Sequence, residues 1–186
     1  MRIIAGKHKG RALTTPKGRT TRPTSDRARE ALFNMLIHAD WAPPLADARV
    51  IDLFAGSGSL GLEALSRGAT FGLFVETDNA ARGAIRTNVE ALGLFGNTRI
   101  HRRSATALGP RPANLGDPFD LAFLDPPYDK GLVVPALDQL KSGGWLGPAA
   151  IAVVETGSAE ALEFEGWELL NQRVNGAACL SFLKPQ

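Results

Sequence analysis

Asp52-Leu53-Phe54-Ala55-Gly56-Ser57-Gly58-Ser59-Leu60-Gly61 is the stretch whose reading decides the fold. It joins an apolar run near 49–54 to a segment with helical spacing near 59–67, which predicts a strand turning through a glycine loop into a helix. Gly56, Gly58 and Gly61 satisfy G-x-G-x-x-G, a pattern that lets backbone approach a ligand at the first crossover of an open α/β sheet. The alternation continues outward from this point. Further strands are predicted near 71–75, 98–102, 119–124 and 149–155, with helices near 78–92 and 132–141. Two last apolar runs, 167–174 and 177–183, are separated by Asn175-Gly176, a dipeptide that favours a tight hairpin, so the final strand should be antiparallel to its neighbour. The fold class is therefore α/β: a mostly parallel sheet with helices on both faces.

The glycine pattern fits two cofactors, and charge separates them. A dinucleotide brings a pyrophosphate that needs a positive cradle, whereas Asp52 stands four residues before Gly56, close to the loop. S-adenosylmethionine carries a sulfonium and an ammonium with no phosphate, so a nearby acid favours it. The glycines then serve close backbone approach. Glu76, at the end of the next strand, can accept ribose hydroxyls of either cofactor. The reading is S-adenosylmethionine, with a dinucleotide and a purely structural turn as alternatives.

A second motif follows the strand at 119–124: Asp125-Pro126-Pro127-Tyr128, delivered to the carboxyl edge where open α/β sheets place ligands. An exocyclic base amine is a poor nucleophile, because its lone pair is delocalised into the ring. The Asp125 carboxylate and the Pro126 carbonyl can accept its two hydrogens and turn the lone pair toward a methyl group. Consecutive prolines stiffen the segment. Tyr128, the only tyrosine in the chain, can stack on an extruded base. Positioning and electrostatics are expected to supply most of the rate, with no metal required.

Residues 1–29 hold nine Lys/Arg against the single acid Asp26, about +8, while the whole chain carries +2, so the remainder is acidic. A basic arm of this density meets polyanions, or else is a solvated tail. It is read as a small hairpin through Ile3, Ile4, a turn at 6–10 and Leu13, followed by an extended stretch and a helix near 28–36 capped by Thr24, Ser25 or Asp26. Residues 1–40 form this extension and 41–186 the main domain. The single Cys179 fits a reducing, cytoplasmic compartment. Neither a signal peptide nor a membrane span is expected.

The chain resembles the 16S ribosomal RNA guanine-N2 methyltransferases of the RsmD type over almost its whole length. The likeness is carried by both motifs and by Met1 to Arg11, Thr21-Arg22-Pro23-Thr24-Ser25-Asp26-Arg27 and Arg29 to Asn34. It implies a Rossmann-like seven-stranded sheet with a reversed last strand, and an N2-methylguanine product made on assembled or nearly assembled small subunits. Asp52, Ala55, Gly56, Gly58, Glu76 and Ala105 correspond to cofactor-binding positions. Asp125, Pro126 and Tyr128 correspond to the target-amine site, with stacking as the role of the last. Arg2, Lys7, His8, Lys9, Arg11 and Arg22 of the arm are the implied contacts to 16S ribosomal RNA, His8 being equally readable as solvated.

Two positions depart from that family. Ser104-Ala105 stands where many relatives have an acid before the alanine, leaving a backbone contact to the cofactor's adenine. Asn175 stands where relatives often have an aromatic residue before glycine. Two other functions share parts of the pattern: a DNA adenine or cytosine amino-methyltransferase, and an RNA-binding assembly factor without catalysis.

Overall fold

The computed structural model describes residues 1–16 and 25–186. Its strands are β1 (Arg49–Leu53), β2 (Phe71–Val75), β3 (Thr98–His101), β4 (Phe119–Leu124), β5 (Leu146–Gly157), β6 (Trp167–Asn175) and β7 (Ala178–Pro185). They form one seven-stranded sheet in the order β3-β2-β1-β4-β5-β7-β6. Only β7 is reversed against its neighbours; every other adjacent pair is parallel. The central runs Val50 to Leu53, Gly72 to Val75 and Leu121 to Leu124 are buried along their whole length, as parallel strands covered on both faces require. This is the expected Rossmann-like sheet with its antiparallel last strand.

Strand periodicity divides the core in two. Val50, Phe74, Phe123 and Val153 pack on one face beneath α1 (Asp26–His38), α2 (Ser59–Ser66) and α3 (Asn79–Leu92), through Phe33, Leu62, Ile85 and Val89. Ile51, Leu73, Ala122 and Val154 point the other way, against Ala136, Leu137 and Leu140 of α4 (Val133–Ser142). Ser25 caps α1 by accepting the Ala28 N–H at 3.1 Å, and Asp78 caps α3 by accepting that of Ala81 at 2.8 Å, each satisfying a donor that the helix cannot.

The closing hairpin differs from expectation by one residue. Asn175 pairs with Ala178, so the turn is Gly176-Ala177 with Gly176 at φ 61°. A glycine at positive φ in the first turn position, rather than Asn-Gly across both, matches the right-handed twist of the strands. Between β3 and β4 the chain makes only a single 3-10 turn, Ala113–Leu115.

The amino-terminal hairpin is present and docked. Arg2 bridges Ala12, and Ile3 N–H donates to the Arg11 carbonyl at 2.9 Å. Ile3 and Leu13 are buried in the same core as α1 and α2. The solvated-tail alternative therefore does not describe residues 1–16. Arg22 lies outside the described residues.

Candidate active site

A cleft of about 590 Å³ opens at the carboxyl ends of β1, β2, β4 and β5. It is lined by Ala55 and Gly56 of the glycine loop, Glu76, Ser104 and Ala105, the Asp125 to Tyr128 segment and Glu155. The two motifs, 64 residues apart at Gly61 and Asp125, thus face one space, because β1 and β4 are neighbours in the sheet.

The loop is built around two carboxylates. Glu76 is 5 % exposed; its Oε2 accepts the Gly56 N–H at 2.9 Å and its Oε1 that of Asp78 at 2.8 Å. Asp52 is 2 % exposed and its Oδ2 accepts the Gly61 N–H at 2.9 Å, at the start of α2. The Gly58 N–H donates to the Ala55 carbonyl at 2.7 Å. All three glycine donors are therefore committed within the protein, two of them to acids. A diphosphate needs such N–H groups free. The loop therefore offers a phosphate none of these three donors.

Asp52 and Gly58 do not line the cleft. Asp52 falls on the α2 side of β1, by the alternation that sends Val50 there and Ile51 away. Burial pushes its carboxyl well above the usual range, the Gly61 N–H opposes this, and Asp125 and Glu76 raise it further. Its part is to brace the loop from behind. Gly58 sits at φ 79°, and a Cβ there would come within 3.2 Å of the Phe74 ring. At Gly61 a Cβ would approach that ring to 2.5 Å, so α2 lies against β2 only because these residues lack side chains. The acidic character of the cleft comes from Glu76, Asp125 and Glu155.

On the opposite wall Asp125 is half-buried, Pro126 buried and Tyr128 36 % exposed. The Tyr128 hydroxyl donates to Glu155 Oε1 at 2.6 Å. Glu160 Oε1 accepts the N–H groups of Asp129 at 3.1 Å and Gly157 at 2.9 Å, fastening the loop after β4 to the end of β5. Glu155 was not among the expected site residues. Its signal is one shared with Glu76 and Asp125: an acid that directly follows an apolar run.

The arm reaches the same cleft through Met1, Thr15 and Pro16. Glu63, wholly buried on α2, accepts the N–H groups of Ile4 at 2.8 Å and Ala5 at 3.0 Å. Arg67 at 2.7 Å and the buried Arg29 at 3.7 Å balance its charge. Arg29 also donates to the Arg2 carbonyl and to Asp26. Removing one member of such a buried set costs about 3 to 5 kcal/mol. Arg2, Lys7, Lys9 and Arg11 stay exposed; Arg11 donates to the Ala91 carbonyl at 2.5 Å. The His8 pKa is lowered by burial and by the cations Lys7 and Arg11. Among the described residues no helix is long and apolar enough to cross a membrane, and no three His, Cys, Asp or Glu gather as a metal site.

The family model described as conserved hypothetical protein 95 matches residues 1–184. The ribosomal RNA small subunit methyltransferase D of Escherichia coli strain K12 is 38% identical over 178 residues, covering 95% of this chain and 85% of that protein. Its namesake in Haemophilus influenzae is 36% identical over 178 residues, covering 95% and 89%. A solved structure of an Escherichia coli protein, provisionally named a methyltransferase, superposes with a TM-score of 0.81 at 32% identity, covering 100% of this chain and 98% of that one.

Proposed function

Because the chain belongs to the ribosomal RNA small subunit methyltransferase D family, we propose that it methylates the exocyclic N2 amine of a guanine in 16S ribosomal RNA, using S-adenosylmethionine and acting on assembled or nearly assembled small subunits. The observation that carries this reading is the meeting, in one acidic cleft, of a glycine loop with committed donors and the Asp125 to Tyr128 segment.

Bound beside the loop, S-adenosylmethionine supplies a methyl group on a sulfonium, so that the N–C bond formed is matched by the S–C bond broken. Glu76 accepts ribose hydroxyls. Asp125 and the Pro126 carbonyl hold the amine hydrogens, which orients the nitrogen lone pair, and Asp125 receives the proton that the methylated nitrogen sheds. Tyr128 stacks on the base. The arm, with Arg2, Lys7, His8, Lys9 and Arg11 at its surface, takes the phosphates.

The deciding experiment offers labelled cofactor to small subunits, naked ribosomal RNA and duplex DNA in parallel, with nucleoside analysis of the products. N2-methylguanine from small subunits is the expected result. Label in an adenine or cytosine amine of DNA would overturn it in favour of a DNA amino-methyltransferase, and cofactor binding without turnover in favour of an assembly factor.

A further inference from the structure

We propose that Glu155 reads the target as guanine, by accepting the N1–H that lies beside the amine; this rests on the guanine reading above. Three bases carry an exocyclic amine, and Asp125 with Pro126 can grip any of them. They differ at the neighbouring ring nitrogen. Guanine N1 bears a hydrogen, whereas adenine N1 and cytosine N3 present a lone pair. A fixed acceptor beside the amine grip therefore favours guanine and repels the other two.

Glu155 is placed to be that acceptor. β4 and β5 run parallel with Leu124 opposite Val154 as their last registered pair, and that pair is followed by Asp125, the first residue after β4, and by Glu155 of β5. Leu124 and Val154 both point toward α4; Glu155, by strand alternation, turns to the opposite side, and both it and Asp125 line the cleft. In the strand order β2-β1-β4-β5, Glu155 lies beyond Asp125 from Glu76 and the glycine loop, on the target side rather than the cofactor side. The Tyr128 hydroxyl fixes its carboxylate at 2.6 Å, and a carboxylate so held keeps acceptor capacity for a base edge. Tyr128 thus joins two tasks, its ring for the base face and its hydroxyl for the group that reads the edge.

The test compares single-turnover methyl transfer to small subunits reconstituted with guanine or 2-aminopurine at the modified position. 2-Aminopurine keeps the 2-amine but has a lone pair at N1. The wild-type protein is expected to favour guanine by about 10- to 100-fold, the discrimination of one well-placed base contact. Glu155→Gln, which can turn an N–H toward that lone pair, should lose most of this ratio with cofactor affinity unchanged by calorimetry. A Glu155→Gln protein with the wild-type ratio overturns the assignment alone, as does a fall in cofactor affinity that accounts for the lost rate. A wild-type protein that methylates no guanine amine overturns both this inference and the reading beneath it.

Discussion

Asn88 grips Thr14 with both ends of its amide: Oδ1 accepts the Thr14 N–H at 2.7 Å and Nδ2 donates to the Thr14 carbonyl at 2.9 Å. The same Nδ2 donates to the Ser57 carbonyl at 3.0 Å, and the residue is 1 % exposed. One buried side chain thus holds the basic arm against the glycine loop. Asn88→Ala should cost roughly 2 to 4 kcal/mol, from three lost bonds and the backbone groups left without partners. Denaturant unfolding would measure this. Amide exchange at Thr14 should quicken, and unaltered exchange there would mean that other contacts hold the arm.

Asp125→Ala should lower turnover by about 100- to 1000-fold, the loss of one preorganised partner to the reacting group. Cofactor affinity should change little, since the residue's proposed partner is the substrate amine. Single-turnover kinetics on small subunits would decide, and a wild-type rate would remove Asp125 from the mechanism.

Glu76→Ala should do more than weaken cofactor binding. The carboxylate accepts from Gly56 and Asp78 before any ligand arrives, so the free protein should lose roughly 2 to 4 kcal/mol, from two charge-assisted bonds. Loss of the ribose contacts should weaken cofactor affinity by roughly 1.5 to 3 kcal/mol more. Calorimetry and unfolding on the same variant separate the two effects. Unchanged cofactor affinity would move the ribose acceptor elsewhere, with Asp78 the next candidate.

The arm is tested by replacing Lys7, Lys9 and Arg11 with alanine. Binding to small subunits should weaken and its salt dependence flatten, because fewer counterions are released. His8 gives an internal readout: with Lys7 and Arg11 gone, two of the causes that hold its pKa down are gone, so its NMR titration should move upward. An unchanged KM at every salt concentration would show that the arm does not meet the RNA.

Asp52 predicts a pH dependence whose sign follows from its raised carboxyl. The folded protein holds this proton more tightly than the unfolded chain, so the contribution to stability is full below the ordinary aspartate value of about 3.9 and is lost as pH rises through the folded value. Asp52→Asn keeps an acceptor for the Gly61 N–H and cannot ionise. It should flatten that part of the stability profile and gain on the wild type toward neutral pH. A variant with the wild-type slope would show that other groups set it.

The strand alternation, the glycine loop and the Asp125 to Tyr128 segment were legible because each is local: apolar runs, positive-φ glycines and a proline-stiffened turn leave marks within ten residues. What Asp52 does was not legible. A strand residue points to one of two faces, and only the packing of α2 against Phe74 tells which face carries the loop's rear support. The docking of the arm was hidden for the same reason, since Glu63 meets Ile4 across 59 positions and its helical neighbours read only as an apolar face. Glu155 was open to view, an acid ending the run Ala150 to Val154, but its meaning depends on β5 lying beside β4.

The docking of the arm also bears on the order in which the chain is made. Ile4 and Ala5 leave the ribosome before their acceptor Glu63 exists, and Thr14 precedes Asn88 by 74 positions. At the usual elongation rate that interval is about 4 to 15 s. Through it this segment lacks the side-chain partners of these backbone groups, and β1, α2, β2 and most of α3 must emerge before the hairpin can seat. The hairpin is therefore a late-closing piece of the nascent fold. A ribosome-stalled chain whose exposed part ends before residue 88 should leave Thr14 open to proteolysis, while one exposed beyond α3 should protect it.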